Sequence, residues 1–286
     1  MPTQGEIGDP DAGKEAPPLP PGLRACTLPP VVAPLPKVLD VPPMGAPVVV
    51  AGDVHLSPDH PDVADRFEAF LGGLAGRCAS LVLLGDVFDW WVGRRQAEEA
   101  FAKRFVSALS ALVRAGTRVA FQGGNRDYAF DGAEGLDVEL WPDVVRTRWG
   151  TRTVVITHGD LLCTGDGRYQ AMRRLLRSRP ARAGLAALPH GAATWLARGL
   201  RDLSEREVAR KPYASMGLDY ALAKAWLEGY GADVLVAGHV HTGVHHRLPG
   251  ERPTEVFVVK DWEAGGGVVR FDGRSIELRS PRQALR

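Results

Sequence analysis

From about residue 47 onward, the chain repeats one pattern: a short apolar run that ends abruptly in polar residues. The runs are "VVVAGDVH", "SLVLLGDVFD", "RVAFQGGNRD", "TVVITHGD" and "DVLVAGHVHTG". Continuous apolar runs of this length predict strands that are buried on both faces, as in a parallel sheet. The segments between the first three runs carry apolar residues at helical spacing, and Gly116 closes the second of them. This alternation predicts an α/β fold in which the polar strand ends share one edge.

The same pattern divides the chain into a leader, a main domain and an insertion. Thirteen of the 22 prolines lie in residues 1–47, and proline blocks helix and lacks a backbone donor. We therefore expect residues 1–46 to be an extended or disordered leader, and such a segment can also bind a partner domain. Residues 47–280 form the predicted main domain. Within it, residues from about 165 to 230 are predicted to be a helical cap over the site.

Composition excludes several classes of protein. The three cysteines, Cys26, Cys78 and Cys163, are odd in number and form no C-x-x-C pair, which predicts reduced thiols in the cytoplasm. A net charge of +1 gives no reason to expect a nucleic-acid partner. The N-terminal residues do not have the pattern of a signal peptide, and the apolar runs are too short to span a bilayer. The expected location is the cytoplasm, with membrane contact limited to the inner face of the cytoplasmic membrane.

Every one of the five polar strand ends carries side chains that bind metal ions. They are Asp53, His55, Asp86, Asn125, His158, His239 and His241. Carboxylate, amide and imidazole groups without a thiolate suit Mn²⁺, Fe or Zn²⁺ and argue against a structural zinc site. Seven ligands exceed the need of one tetrahedral ion but fit two ions roughly 3.5–4 Å apart that share a carboxylate. The D-x-H and H-x-H spacings are expected to place both side chains on one side of an extended strand.

Each fragment alone has an ordinary explanation. A single histidine or aspartate at a strand end is usually a hydrogen-bonded polar residue or a helix cap, and neither "GNRD" nor "HGD" is specific by itself. Five such fragments in order, each at the end of a predicted strand, favour a shared site instead.

Together the fragments "DVH", "GDVFD", "GNRD", "THGD" and "GHVH" resemble the calcineurin-like metallophosphoesterase superfamily. The resemblance covers residues 50–241 and implies an α/β sandwich of two mixed β-sheets flanked by helices, with two divalent ions, expected to be Mn²⁺. It implies that one ion is held by Asp53, His55, Asp86 and His241. By the same resemblance, the second ion is held by Asp86, Asn125, His158 and His239.

One branch of that superfamily has arginine, as at Arg126, where the usual pattern has a histidine that protonates the leaving group. "LCTGDGRYQAMRR" and "ALPHGAATWLARGLRDLSEREVARK" also resemble this branch, the UDP-2,3-diacylglucosamine pyrophosphatases of lipid A biosynthesis. The resemblance implies cleavage of that nucleotide glycolipid to UMP and 2,3-diacylglucosamine 1-phosphate. It implies catalytic roles for Asp86, Asn125, Arg126 and His239. It implies substrate contacts from Asn125, Arg126, Asp166, Ser204, Lys211 and His239. The branch often has asparagine where this chain has Val208.

The predicted cap is both basic and apolar. Residues 166–211 contain eleven Lys or Arg against four Asp or Glu, interspersed with Leu, Ala and Trp195. A helical segment of this kind can bind an amphiphile that carries phosphate and acyl chains, and it can rest on an anionic membrane surface. An ordinary solvated helix face has a similar composition.

Two alternative functions remain open on the sequence. An enzyme of the same fold can act on a soluble phosphodiester or nucleotide pyrophosphate, and detergent dependence would separate that activity from lipid hydrolysis. A non-catalytic binding module is the other alternative. Loss of ligand residues is its usual sign, whereas here all seven ligand positions are filled.

Overall fold

A computed structural model describes residues 35–133, 136–165, 167–208, 217–250 and 252–286, with the side chains of residues 202 and 205–208 excepted. Leu35–Arg286 form one compact unit. The predicted leader up to residue 34 lies outside the described residues. No described helix is long and apolar enough to cross a bilayer.

The strands form two sheets. In chain order they are β1 (Leu39–Asp40), β2 (Val48–Ala51), β3 (Ser80–Leu84), β4 (Arg118–Gln122), β5 (Glu139–Trp141), β6 (Val144–Trp149), β7 (Arg152–Thr157), β8 (Val234–Ala237), β9 (Thr242–Leu248), β10 (Thr254–Lys260), β11 (Val268–Phe271) and β12 (Ile276–Arg279). One sheet has the order β12-β11-β2-β3-β4-β5 and the other β1-β6-β7-β8-β10-β9. Both are mixed: β2 to β5 run parallel, as do β7, β8 and β10, while antiparallel strands complete each sheet.

The helices flank these sheets. They are α1 (Pro61–Leu74), α2 (Ala100–Arg114), α3 (Gly167–Leu176), α4 (Arg179–Ala187), α5 (His190–Val208), α6 (Tyr220–Gly229) and α7 (Pro281–Ala284). The hydrophobic faces of α1 and α2 pack on the outer face of the sheet that contains β2, whereas α6 packs on the outer face of the other sheet. The predicted sandwich of two mixed sheets between helices is confirmed.

Alternation along the buried strands explains how the two sheets pack. Val48 and Val50 of β2 face the other sheet, whereas Val49 and Ala51 face α1 and α2. Because both sets are apolar, the strand is buried on both faces, as its continuous apolar run predicted. The same alternation in β8 divides its residues between the inter-sheet core and α6.

The folded unit begins earlier than the sequence predicted. Residues 35–46 were assigned to the leader, but β1 pairs in parallel with β6, and the Val41 amide donates to the Arg146 carbonyl. Met44 is buried in the core between the sheets. Prolines are tolerated here because the segment lies at a sheet edge, where fewer backbone donors need partners. At the other end, α7 extends the domain beyond residue 280 and buries Ala284.

Helices α3, α4 and α5 lie in the segment assigned to the cap, whereas α6 belongs to the main domain. Among the described residues of the cap, α3, α4 and α5 project over the site, and Ala193 of α5 packs on Trp90 and Val92. In contrast, α6 buries Trp226 and Leu227 against the sheet. The cap therefore ends before α6.

Candidate functional site

Loops from both sheets meet at one edge of the sandwich. The loops after β2, β3 and β4 come from one sheet, and those after β7 and β8 come from the other. All five predicted ligand loops leave the carboxyl end of a parallel strand, where a site in this type of sheet is expected. Backbone hydrogen bonds connect them: the Asp53 amide donates to the Gly85 carbonyl, and the Gly238 amide donates to the His158 carbonyl.

The structure brings the predicted ligand side chains together in two groups. Asp53, His55 and His241 form one, and Asp86, His158 and His239 form the other. Within each group, one ligand atom from every residue lies within 4.8 Å of the others. Each of these two groups could hold a metal ion.

Asp86 and Asn125 occupy the positions between these side chains. Asp86 Oδ2 lies 3.6 Å from His158 Nε2 and 3.9 Å from His55 Nε2, so one carboxylate adjoins both groups. Asn125 Oδ1 lies 3.1 Å from His158 Nε2 and 2.9 Å from His239 Nδ1. All seven predicted ligand residues thus converge in one site.

The surroundings of the His158 and His55 imidazoles suit metal binding. Nδ1 of His158 lies 2.9 Å from the Leu84 carbonyl oxygen, which fixes the proton on Nδ1 and directs Nε2 into the site. Nε2 of His55 is buried and has no hydrogen-bond partner among the described residues. Burial, reinforced by Arg126, lowers the pKa of His55 to about 3, so its ring is neutral. A buried, neutral and unpartnered nitrogen is what a metal ligand requires, so these residues fit a bound ion.

The carboxylates are charged despite their burial. Burial alone would raise the pKa of Asp53, but the hydrogen bond and charge of His241 outweigh it and hold the pKa at about 2. Burial also opposes ionisation of Asp86, yet His158, His55 and Arg126 hold its pKa below the usual value. The site therefore presents anionic oxygens beside the neutral ring of His55, a donor set that suits divalent cations.

Left-handed backbone, rather than extended strand, explains the D-x-H and H-x-H spacings. The strands β2 and β8 end before these pairs begin. Positive φ occurs at five non-glycine residues among the described ones, and all five are predicted ligands: Asp53 (51°), His55 (58°), Asp86 (48°), His239 (69°) and His241 (59°). The extended-strand explanation was therefore wrong. Aspartate and histidine tolerate this conformation better than most residues, and such strain concentrates at functional sites.

Asp127 is an important residue that the sequence analysis missed. Its buried carboxylate accepts backbone N–H bonds from Asp86, Val87, Phe88 and Gly124. It thus joins the Asp86 loop to the Asn125 loop. Burial, together with the nearby Asp86 charge, raises the pKa of Asp127 to about 6. The sequence feature that could have identified Asp127 is its place at the end of "GNRD", between short loops.

Asp89 and Asp160 form ion pairs and hydrogen bonds with residues of the cap. Asp89 forms ion pairs with Arg126 and with Arg201 of α5, the latter at 2.7 Å. Asp160 accepts from the Tyr169 hydroxyl at 3.1 Å and from Arg173 Nε at 2.5 Å. Both carboxylates therefore bind the cap to the main domain.

A cavity of about 470 Å³ lies between the cap and the metal-ligand groups. The predicted contact residues Asn125, Arg126 and Ser204 line it, whereas His239 lies in the ligand group beside it. Asp166 and Lys211 lie outside the described residues, as does the side chain of Val208. Most of the remaining lining is apolar: Trp90, Trp91, Val92, Met172, Leu175, Leu176, Ala181, Leu185, Leu188, Leu196, Ala197 and Leu200.

Comparison with known proteins places the chain in a family. The family model described as calcineurin-like phosphoesterase matches residues 46–243. A protein from Pseudomonas savastanoi named UDP-2,3-diacylglucosamine hydrolase is 34% identical over 238 residues, which cover 82% of this chain and 95% of that protein. Proteins of the same name from Chromohalobacter salexigens and Shewanella loihica are each 32% identical, over 77% and 80% of this chain and 90% and 94% of their own lengths.

The predicted family is therefore confirmed, since the family model spans most of the chain and the relatives are aligned along nearly their whole length. The site agrees with the match, because its carboxylates, amide and imidazoles are grouped for divalent ions. This chain belongs to the calcineurin-like phosphoesterase family of metal-dependent hydrolases.

Proposed function

We propose that this enzyme hydrolyses the pyrophosphate bond of UDP-2,3-diacylglucosamine and releases UMP and 2,3-diacylglucosamine 1-phosphate, a step of lipid A biosynthesis. The relatives named above are hydrolases of that nucleotide glycolipid. The observation that carries the proposal is the largely apolar cavity of about 470 Å³ beside the metal-ligand groups. A soluble phosphodiester has no acyl chain to fill such a cavity.

The cavity and the ligand groups would bind different parts of the substrate. The cavity lies within the size range of sites that enclose a small-molecule ligand, and its apolar wall would take the acyl chains. Arg126, Arg201 and Ser204 supply polar groups on its lining. We infer that the two guanidinium groups, which meet at Asp89, face the phosphates of the bound nucleotide.

We assign the first of two divalent ions, proposed to be Mn²⁺, to Asp53, His55, Asp86 and His241. The second is assigned to Asp86, Asn125, His158 and His239. When bound, such ions activate water and neutralise charge on phosphoryl oxygens.

The protein's own groups would then hold and polarise the phosphates. Arg126 cannot donate a proton as a general acid, because guanidinium remains charged at all ordinary pH values. Its paired donors can instead bind the phosphoryl oxygens as charge develops on them. A sugar 1-phosphate leaves as a stabilised anion, so a site without an acid at this position suits a pyrophosphate. Asn125, which precedes Arg126 in the chain, and His239, whose Nδ1 lies 2.9 Å from Asn125 Oδ1, would orient the same phosphate.

A product assay tests the proposed function directly. Purified protein with Mn²⁺ is incubated with UDP-2,3-diacylglucosamine in detergent, and the products are identified by mass spectrometry. We expect UMP and the diacylated sugar phosphate in equal amounts. Hydrolysis of only a soluble phosphodiester would contradict the lipid substrate, and absence of any hydrolysis would favour a non-catalytic binding module.

Filling the cavity should select against acyl chains. Ala197 of α5 lines the cavity, so Ala197→Phe places a ring where we expect a chain. The value of kcat/KM for the diacylated substrate should fall about tenfold, because a chain that cannot be buried loses roughly 1–2 kcal/mol. In steady-state kinetics, kcat/KM for UDP-glucosamine, which lacks both chains, should be unaffected. Ala192→Phe is the matched control, since Ala192 is exposed on the same helix; equal losses in both variants would contradict chain binding in the cavity.

The cap surface supports a second, finer proposal, contact with the inner face of an anionic membrane. Leu175, Trp195 and Leu203 are exposed by 66%, 77% and 59%. Trp195 and Leu203 are eight residues apart on α5, which places them on one face of that helix. Exposed aromatic and aliphatic groups on a basic cap suit a lipid headgroup boundary.

Removal of that apolar face should weaken membrane binding. The double variant Trp195→Ser/Leu203→Ser is expected to bind phosphatidylglycerol vesicles about tenfold less tightly in co-sedimentation, because it loses two large apolar groups. Leu140→Ser is the control, as Leu140 is 50% exposed on β5, which lies outside the cap. Equal vesicle binding by the wild-type protein, the double variant and Leu140→Ser would contradict the proposal.

A further inference from the structure

Helix α3 contacts both the cap cavity and the main domain. Tyr169, Met172, Leu175 and Leu176 of this helix line the cavity. Arg173, one turn after Tyr169, and Arg177 also line the cavity, and the Arg173 guanidinium is directed to carboxylates at the ends of two strands. Its Nε lies 2.5 Å from Asp160 Oδ2, and its Nη2 lies 2.9 Å from Asp143 Oδ2. The helix is thus fixed to the sheet through charge pairs, and the buried Arg173–Asp160 pair is costly to break by removal of one partner.

Arg177, directly after the last residue of α3, contacts the loop that carries Asn125. Its Nη2 donates to the Gly124 carbonyl oxygen at 2.6 Å and to the Gly123 carbonyl oxygen at 3.2 Å. Its Nη1 forms an ion pair with Asp143, which also pairs with Arg173. The guanidinium therefore joins the end of the cap helix to the two peptide groups that precede Asn125.

This loop has no room to move toward Asp86. A Cβ atom added at Gly124 would lie 2.1 Å from Asp86 Oδ1, and the Arg126 amide donates to the same oxygen at 2.9 Å. The Asn125 backbone is thus held by Asp86 on one side and by Arg177 on the other. Its side-chain oxygen is thereby kept beside the imidazoles of His158 and His239.

We propose that Arg177 is a positioning residue that holds Asn125 in the metal-ligand group and couples filling of the cap cavity to turnover. The inference rests on the proposed function, because it takes the acyl chains as the occupants of the cavity. Chains that pack against α3 fix the position of Arg177, and Arg177 fixes the Gly123–Gly124 carbonyl groups. Binding energy from a part of the substrate remote from the reaction is thereby expressed in kcat rather than only in KM.

Kinetics of Arg177→Met test this coupling. Methionine keeps the length of the apolar stem and removes every hydrogen bond to the loop. At saturating Mn²⁺, kcat for UDP-2,3-diacylglucosamine should fall at least about tenfold, since small displacements of a reacting group are costly. For UDP-glucosamine, which cannot fill the cavity, kcat should fall less, so the ratio of the two kcat values moves toward one. Arg177→Lys retains a charged donor and should show an intermediate ratio.

The matched control is Arg174→Met on the same helix, where the arginine is exposed and is not part of the cavity lining. It should leave both kcat values unchanged. Equal losses of kcat on the two substrates in Arg177→Met, or a change in KM alone, would overturn the coupling.

Mn²⁺ binding without substrate gives a readout that is independent of turnover. Titration of Mn²⁺ followed by electron paramagnetic resonance should show the weaker of two sites weakened about tenfold further in Arg177→Met and unchanged in Arg174→Met. Unchanged Mn²⁺ affinity in Arg177→Met would overturn the positioning role. If the wild-type protein releases no UMP from the diacylated nucleotide, the proposed function fails, and this titration alone decides whether Arg177 positions Asn125.

Discussion

Asp86→Asn should reduce turnover by roughly a thousandfold. Asp86 is the carboxylate that adjoins His55 of one ligand group and His158 of the other. Its replacement by a neutral amide removes anionic charge from both groups at once. Asparagine is the informative substitution because it tolerates the left-handed backbone at this position and keeps an acceptor for the Arg126 amide. The variant should therefore fold, and its loss of turnover should come from the missing negative charge rather than from unfolding.

Metal content measured alongside turnover identifies the cause. We expect the wild-type protein to retain about two Mn²⁺ ions per chain after gel filtration and the variant to retain fewer. Asp62→Asn provides the control, since Asp62 is an exposed residue of α1 in a surface ion pair, and such pairs contribute little. Substantial activity in fully loaded Asp86→Asn would refute the assignment of Asp86 to both ions.

Gly124→Ala is expected to reduce turnover strongly through packing alone. The added Cβ would lie 2.1 Å from Asp86 Oδ1 and 2.4 Å from the Asp86 amide nitrogen, so the two loops must separate. Asn125 moves with Gly124 and leaves the imidazoles of His158 and His239. We expect turnover to fall roughly a hundredfold or more, because an ångström-scale misplacement can cost that much.

Gly72→Ala makes the same chemical change where space is available. Nothing lies within 4 Å of a Cβ at Gly72, which is exposed in α1. Alanine there should leave turnover unchanged and raise the free energy of unfolding by up to about 1 kcal/mol, owing to its better helix propensity. Urea unfolding and steady-state assays of both variants check the pair. A Gly124→Ala protein with normal kcat would show that the loops are not tightly opposed.

The convergence of the predicted ligand residues could be predicted from the sequence, because the ends of parallel strands meet at one edge. Buried runs such as β2 and β8 must be continuous and apolar, and their carboxyl ends must meet at one edge. Polar residues that follow such runs are therefore neighbours in space, although Asp53 and His239 are far apart in the chain. The fold class follows from the same reasoning.

Other features depend on tertiary contacts that leave no periodic signal. The left-handed backbone at Asp53 and His55 arises from hydrogen bonds between loops, including those from the His55 and Val54 amides to the Asp86 carbonyl. Likewise, residues 35–46 pack on the sheet despite their prolines. Arg177 is one of several arginines in its segment, and no sequence feature distinguishes it from the others. Spacing alone does not show which member of such a run is buried.

The five predicted ligand residues with positive φ also affect how the protein withstands heat. Each costs about 1–2 kcal/mol relative to ordinary backbone, whereas an entire domain is stable by only about 5–15 kcal/mol. Ions that bind the native state alone would compensate by mass action, so a chelator should lower the melting temperature, and added Mn²⁺ should restore it. A cell depleted of Mn²⁺ would then lose folded enzyme to proteolysis as well as catalytic activity. The supply of the metal would thus determine the amount of folded protein.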